Sequence, residues 1–202
     1  MYNKEIIHFI KSIYKNQSPV FLHNPIFIGN EKKYINDCID STYISSVGEY
    51  VNKFESMTSK YIGSKYSIAA VNGTAALHMA LILSGVKQNE EVITQSLTFV
   101  ATANAIKHAN ADPVFIDIDK TTLGLSPEKL DYWIKSNTLF KKNKLINKNT
   151  KKRIAAIVPM HTFGNPCYID DILSIGEKYN IPIIEDSAES LGSKYKGMHT
   201  GT

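Results

Sequence analysis

Cysteine is nearly missing from this chain of 202 residues, which has only Cys38 and Cys167. Two cannot build a disulfide framework, and their separation is not that of a metal pair, so both read as small, reduced core residues. Arginine is scarcer still. Arg153 is the only one, and the net charge of +4 is carried by lysine. No apolar run approaches the roughly 18 residues needed to cross a bilayer. The opening MYNKEIIHFIKSIYKN carries charges through its greasy stretch, so no secretory h-region is expected and the chain reads as cytoplasmic, without a membrane partner. Internal repeats are lacking, and so is low complexity beyond one basic run, Lys141, Lys142, Lys144, Lys148, Lys151, Lys152 and Arg153. Such a run could attract nucleic acid. It is mixed with Asn, almost free of aromatics and placed between a helix-like segment and a strand, so it reads as a solvated connecting loop, with no nucleic-acid partner expected.

What is present is an apolar content of 43%, enough for a real core, and a length that fits one domain by default. Apolar residues at Tyr34, Ile35, Cys38 and Ile39 predict a helix capped by Asn30. Val51, Phe54, Met57 or Thr58, Tyr61 and Ile62 predict a second, stopped by Gly63 in the left-handed conformation. From Ser67 onward, short β-rich runs alternate with helical ones. Strands are expected at 67–71, 91–94, 113–118, 153–159 and 181–186, and helices at 74–84, 98–109, 126–135 and 169–179. That alternation predicts an α/β fold, a three-layer αβα arrangement with a mostly parallel sheet. Such sheets bind ligands outside the carboxyl ends of their strands. Asn72-Gly73-Thr74, Ser96 to Phe99, Met160-His161-Thr162 and Asp186 each follow an expected strand and are expected to line one crevice.

Chemistry can be attached to several of these residues. Gly73 lets a backbone approach an anion closely, and Thr74 adds a hydroxyl where a helix dipole is positive. The same residues also serve a helix that Asn72 merely caps. Asp186 ends a run that should be buried, and a carboxylate there needs a cationic or hydrogen-bonding partner. A protonated ring nitrogen would serve, worth on the order of 4 kcal/mol at about 4 Å before desolvation is subtracted. A helix cap or a metal ligand are the other uses. Phe99 could stack on a flat cofactor or pack in the core. His161 stands alone at a strand exit, where histidine is more often structural than catalytic. No Gly-x-Gly-x-x-Gly follows the first expected strand, which disfavours a Rossmann nucleotide-binding module.

The segments Pro25-Ile26-Phe27-Ile28-Gly29, Tyr43-Ile44-Ser45-Ser46-Val47-Gly48, Asn72-Gly73-Thr74-Ala75-Ala76-Leu77, Leu97-Thr98-Phe99-Val100-Ala101-Thr102, Pro113 to Asp119, Pro159-Met160-His161-Thr162-Phe163-Gly164 and Glu185-Asp186-Ser187-Ala188-Glu189-Ser190-Leu191-Gly192 occur in order. In that order the chain resembles the DegT/DnrJ/EryC1/StrS family of sugar aminotransferases. The family uses pyridoxal 5′-phosphate (PLP) on the fold-type I scaffold. The resemblance implies a helical segment with a substrate-facing loop over 1–66 and an incomplete PLP-binding large domain over 67–202, the C-terminal small domain being absent.

It implies that Gly73, Thr74 and Ala75 hold the cofactor phosphate, and that Phe99 stacks on the pyridine ring with Ala188 against its other face. Asp186 would pair with the ring nitrogen as the one catalytic residue in the chain. Glu189 would lie beside the cofactor, and Ser45 and Ser46 would face a nucleotide-linked keto-sugar. The expected reaction is amination of a 4-keto-6-deoxy sugar with glutamate as amino donor, for surface polysaccharide synthesis, in a homodimer. The family's cofactor-bearing lysine lies beyond the segment resembling Gly192 to Thr202, and Lys194 and Lys196 read as a surface turn. Little or no transaminase activity is therefore expected of this polypeptide alone. A sugar dehydratase of the same family, with histidine in place of that lysine, and a noncatalytic remnant that binds cofactor or an intact subunit remain as alternatives.

Overall fold

The computed structural model describes residues 2–15, 18–21 and 25–202, so Met1 and Asn16 of the opening stretch lie outside the described residues. Two compact units, 1–48 and 49–202, divide the chain. The first carries α1 (Tyr2–Ile13), where Ile6, Phe9, Ile10 and Ile13 recur at helical spacing, and α2 (Glu31–Ser41). Asn30 stands at the N-cap of α2 as expected, yet its side chain makes no capping bond. The Glu31 carboxylate reaches back instead and accepts from the Gly29 N–H at 2.9 Å.

The second unit opens with α3 (Glu49–Ile62), which ends at Gly63 with φ +84°, the left-handed stop that the spacing predicts. The boundary expected from the sequence lies at 66/67, after this helix. Among the contacts that hold α3 to the rest of its unit, Glu55 accepts the Ala69 N–H at 2.8 Å, and the Tyr61 ring meets His199 edge-on at 5.8 Å.

The strand expected at 67–71 is not formed. The segment forms no ladder among the described residues, and Ile68 and Val71 are 85% and 89% exposed. Its β-rich composition reflects a preference that a strand realises only against a neighbour.

Beyond it the alternation holds: α4 (Gly73–Leu83), β1 (Glu91–Gln95), α5 (Val100–His108), β2 (Asp112–Ile116), α6 (Pro127–Asn137), β3 (Thr138–Lys141), β4 (Lys144–Asn147), β5 (Arg153–Val158) and α7 (Ile169–Tyr179). The main sheet has the order β2-β1-β5-β4-β3. β1 runs parallel to both β2 and β5, while β4 pairs antiparallel with β3 and β5. The run 181–186 is extended and bridges to β5 and its exit at only two points, Ile157 with Ile183 and Met160 with Asp186, both parallel. Pro182 lacks the N–H that a continuous ladder would use.

The hairpin β3–β4 corrects the reading of the lysine-rich run as a plain loop. Lys142 and Asn143 both take positive φ, 51° and 58°, and close a two-residue turn, while Leu145 on the returning strand is buried. Lys141, Lys142 and Lys144 are exposed as expected, but on a hairpin. β6 (Lys194–Tyr195) and β7 (Met198–His199) form a second small hairpin.

Two cores flank the parallel strands. Ile93, Ile116, Leu130, Ile134, Ile154, Ile157, Ile172 and Ile175 pack on the face covered by α6 and α7. Leu81, Val92, Ala105, Ile106, Ala155, Ala156 and Val158 pack on the face covered by α4 and α5. Adjacent residues Val92 and Ile93 thus serve opposite faces, as period two requires, and three layers result. Alanines on the second face let α5 lie close to the sheet. That closeness brings the start of α5 over the strand exits.

Candidate functional site

At the carboxyl end of β1, Gln95 is fully buried and makes three hydrogen bonds. Its Nε2 donates to the Leu97 carbonyl and to Thr162 Oγ1, both at 2.8 Å, and its Oε1 accepts the Met160 N–H at 3.0 Å. One side chain therefore ties the 96–99 turn to the exit of β5. Asp186 joins the same cluster through its backbone, donating to Pro159 at 2.8 Å and accepting from His161 at 3.2 Å. Of the segments expected to share a crevice, these three do meet. The fourth, Asn72-Gly73-Thr74, does not follow a strand but opens α4, which packs on α5; His78 and His108 touch edge-on across that contact at 5.9 Å.

An open pocket of about 130 Å³ lies over this junction, lined by Leu97, Thr98, Phe99, Met160, Thr162, Phe163 and Glu189. Phe99 caps the start of α5 and is 64% exposed, so its ring is not spent on the core. Glu189 accepts the Phe163 N–H at 2.7 Å, and Phe163 sits at φ 55° with its own ring exposed. A bulky residue in the left-handed region is strained, and here a carboxylate bond and the pocket wall hold it.

Asp186 is buried, at 4% exposure, with no ion-pair partner among the described residues. Its Oδ2 accepts from Thr102 Oγ1 at 2.6 Å, while Oδ1 receives only the Ala188 N–H, at 3.3 Å. A buried carboxylate so arranged retains capacity for a cation. Next to it, Ser187 Oγ is a buried hydroxyl with no hydrogen-bond partner among the described residues. At the other end, Asn72 caps α4 by accepting the Ala75 N–H at 2.8 Å. The Gly73 and Thr74 N–H groups begin the helix and no hydrogen bond of the described residues uses them, as expected of a helix start. A Cβ at Gly73 would meet nothing within 4 Å, so space stands open over those amides. An acceptor-rich buried end and an anion-receptive helix start are the donor set that PLP needs, and the residues present fit it.

His161 is fully buried and structural in its contacts. The Cys167 N–H donates to Nδ1 at 3.0 Å, which leaves the proton on Nε2, facing Glu185 Oε2 at 2.8 Å. The same Glu185 oxygen accepts the Gly201 N–H at 3.0 Å. Burial pushes the Cys167 thiol up to about 11, so it is an unreactive core thiol, as the sequence suggests. Lys194 and Lys196 lie in the β6–β7 hairpin, and Lys196 is paired with Asp170. Among the described residues, no lysine lines the pocket. Ser45 and Ser46 are exposed in the first unit, and Ser45 Oγ accepts the Val47 N–H at 3.4 Å. Gln95 and Thr102 escaped the sequence reading, because nothing local marks a polar residue whose partner lies on another strand.

The profile of the DegT/DnrJ/EryC1/StrS aminotransferase family matches residues 26–202, and the chain belongs to that family. It is 39% identical over 181 residues to the GDP-perosamine synthase of Escherichia coli O157:H7, covering 90% of this chain and 45% of that protein. It is 38% identical over 183 residues to EpsN of Bacillus subtilis, named as a candidate pyridoxal phosphate-dependent aminotransferase, covering 91% of this chain and 45% of that one. Among solved structures, the aminotransferase of Psychrobacter cryohalolentis superposes with a TM-score of 0.76 at 30% identity, over 90% of this chain and 42% of that one. The chain thus spans less than half the length of the relatives it matches. Among the described residues, no helix is long and apolar enough to cross a membrane.

Proposed function

We propose that this chain supplies the PLP-binding part of an aminotransferase acting on a nucleotide-linked 4-keto-6-deoxy sugar, with glutamate as amino donor. The observation that carries the reading is Asp186, a buried carboxylate without a cation, beside a pocket walled by an exposed aromatic. In this reading Asp186 holds a proton on the pyridine nitrogen, Phe99 stacks on one ring face and Ala188 packs on the other. Gly73 and Thr74 receive the phosphate with their free amides, and Ala75 closes that turn while its own N–H is lent to Asn72. Glu189, anchored on Phe163, borders the ring. Ser45 and Ser46 serve the nucleotide-sugar side, and the functional assembly is a homodimer in the cytoplasm. Bound PLP would supply an electron sink for breaking the C–H bond beside the amine nitrogen. The chain's own residues bind, orient and keep water from the acid.

The test is a spectroscopic titration of the purified chain with PLP. Saturable binding is expected, weakened at least about tenfold in Asp186→Ala, because removing one member of a buried charge pair strands the other. With no lysine on the pocket wall, borohydride should leave PLP unattached to the protein, and no steady turnover of keto-sugar with glutamate is expected. Absence of PLP binding by the wild-type chain would overturn the proposal.

A further inference from the structure

The Asp186 carboxylate is held by a relay that none of the expected site residues includes. Thr102 is 1% exposed and its Oγ1 lies 2.6 Å from Asp186 Oδ2. Thr98 Oγ1 lies 2.7 Å from Thr102 Oγ1 and 3.1 Å from Met160 Sδ. An ionised carboxylate can only accept, so the single proton of Thr102 points at Asp186. The Thr98 hydroxyl must then donate to Thr102, and the thioether, a weak acceptor, flanks it. Two hydroxyls in series polarise each other toward the carboxylate.

We propose that Thr102, oriented by Thr98, is a positioning residue that engages Asp186 Oδ2 and presents Oδ1 to the cationic ring nitrogen of the cofactor. The inference rests on the reading of this pocket as a PLP site. The Asp186 backbone is already fixed on both sides, by Pro159 and His161, so the side-chain torsions are the freedom left to set. Thr102 sets them from a rigid base. Its N–H donates to the Phe99 carbonyl at 3.1 Å, so the residue that aims the acid and the one that stacks on the ring share a single helical turn. The spacing between ring face and ring nitrogen is thereby built into the first turn of α5.

The experiment is a double-mutant cycle on PLP affinity, read by absorbance and by quenching of the single tryptophan, Trp133, in wild type, Thr102→Val, Thr102→Ser, Asp186→Ala and Thr102→Val with Asp186→Ala. Thr102→Val is expected to weaken binding about tenfold, the scale of one hydrogen bond to a charged group. Thr102→Ser should bind within about twofold of wild type. In the Asp186→Ala background, Thr102→Val should add nothing, whereas a residue that only supported the fold would weaken both backgrounds alike. Equal loss in both backgrounds, or wild-type affinity in Thr102→Val, overturns the inference and leaves the PLP reading standing; failure of the wild type to bind PLP overturns both. If circular dichroism shows Thr102→Val unfolded, Thr98→Val takes its place in the cycle. A loss of about threefold that disappears in Asp186→Ala is then expected, and no loss overturns the relay.

Discussion

Replacing Gln95 by methionine keeps the length of the side chain and removes its amide, so it isolates what its three hydrogen bonds contribute. The Met160 N–H, on a residue 2% exposed, would be left without its acceptor and with no route to water, which costs about 1–3 kcal/mol. The other two losses are smaller. Thr162 Oγ1 still donates to the Leu123 carbonyl at 3.0 Å, and the Leu97 carbonyl sits on a residue 39% exposed, where solvent can replace the lost donor. At about 0.5–1 kcal/mol each, they bring the total to about 2–5 kcal/mol, a large share of the 5–15 kcal/mol typical of a domain. Urea denaturation followed by circular dichroism measures it as a shift in midpoint at constant slope. Gln95→Glu, which keeps the acceptor for Met160 but loses both donors, should also destabilise. A loss below about 1 kcal/mol in Gln95→Met would refute the claim that this side chain fastens the 96–99 turn to the exit of β5.

Two further perturbations probe the scaffold around the site. A Cβ on Gly124 would lie 2.4 Å from Cys167 Sγ and 3.2 Å from the Met160 carbonyl, so Gly124→Ala should cost about 1–3 kcal/mol in thermal or chemical unfolding. Adding Cys167→Ala removes the offending sulfur and should recover part of that loss, whereas strict additivity would show that the clash is relieved some other way. At the opposite end of the sheet, Lys107 and Lys152 hold the Asp112 carboxyl down at about 2 through hydrogen bonds and charge. A depressed carboxylate contributes stability above its unfolded value and loses it as pH falls toward the folded one. The gap between wild type and Asp112→Asn should therefore narrow between about pH 4 and pH 2. The Asp112 side chain is 42% exposed, so screening keeps that gap below about 1 kcal/mol at neutral pH. A gap that widens on acidification would contradict the ion-pair account.

The alternation of elements was legible because α6 and α7 each carry an apolar face and β1 and β5 a buried run, whereas α4 is apolar nearly all round and β2 buries only Ile116. α7 was expected at 169–179 and is Ile169–Tyr179. What failed was the inference from composition to pairing. Ile68, Ala69, Ala70 and Val71 look like a buried strand, but a strand needs a neighbour, and none of the described residues provides one. Ile183 and Ile184 look the same and do find β5, although the ladder reduces to bridges because Pro182 interrupts it. The hairpin β3–β4 failed in the opposite direction. Its lysines advertise solvent, while the two-residue turn at Lys142 and Asn143 and the inward Leu145 went unread.

The site divides in the same way, and the division has a physical cause. Phe99 and Asp186 could be chosen from the chain because each stands where a β-rich run ends, and such ends fall at the mouth of an α/β sheet; Gly73 was placed after a strand that does not form, and Glu189 came with the family resemblance alone. Gln95 and Thr102 could not. Gln95 meets Met160 across 65 residues, and Thr102 meets Asp186 across 84. Such pairs are fixed by strand register and by the closeness of α5 to the sheet, which depends on Ala105, Ala155 and Ala156 between them. Enlarging one of those alanines would therefore act on the site without touching it. Ala156→Val should push α5 outward, lengthen the contact of Thr102 with Asp186 and weaken PLP binding together with stability, with overpacking costing about 1–3 kcal/mol. Unchanged PLP affinity in an Ala156→Val protein that is measurably destabilised would show that the acid is held from its own segment alone.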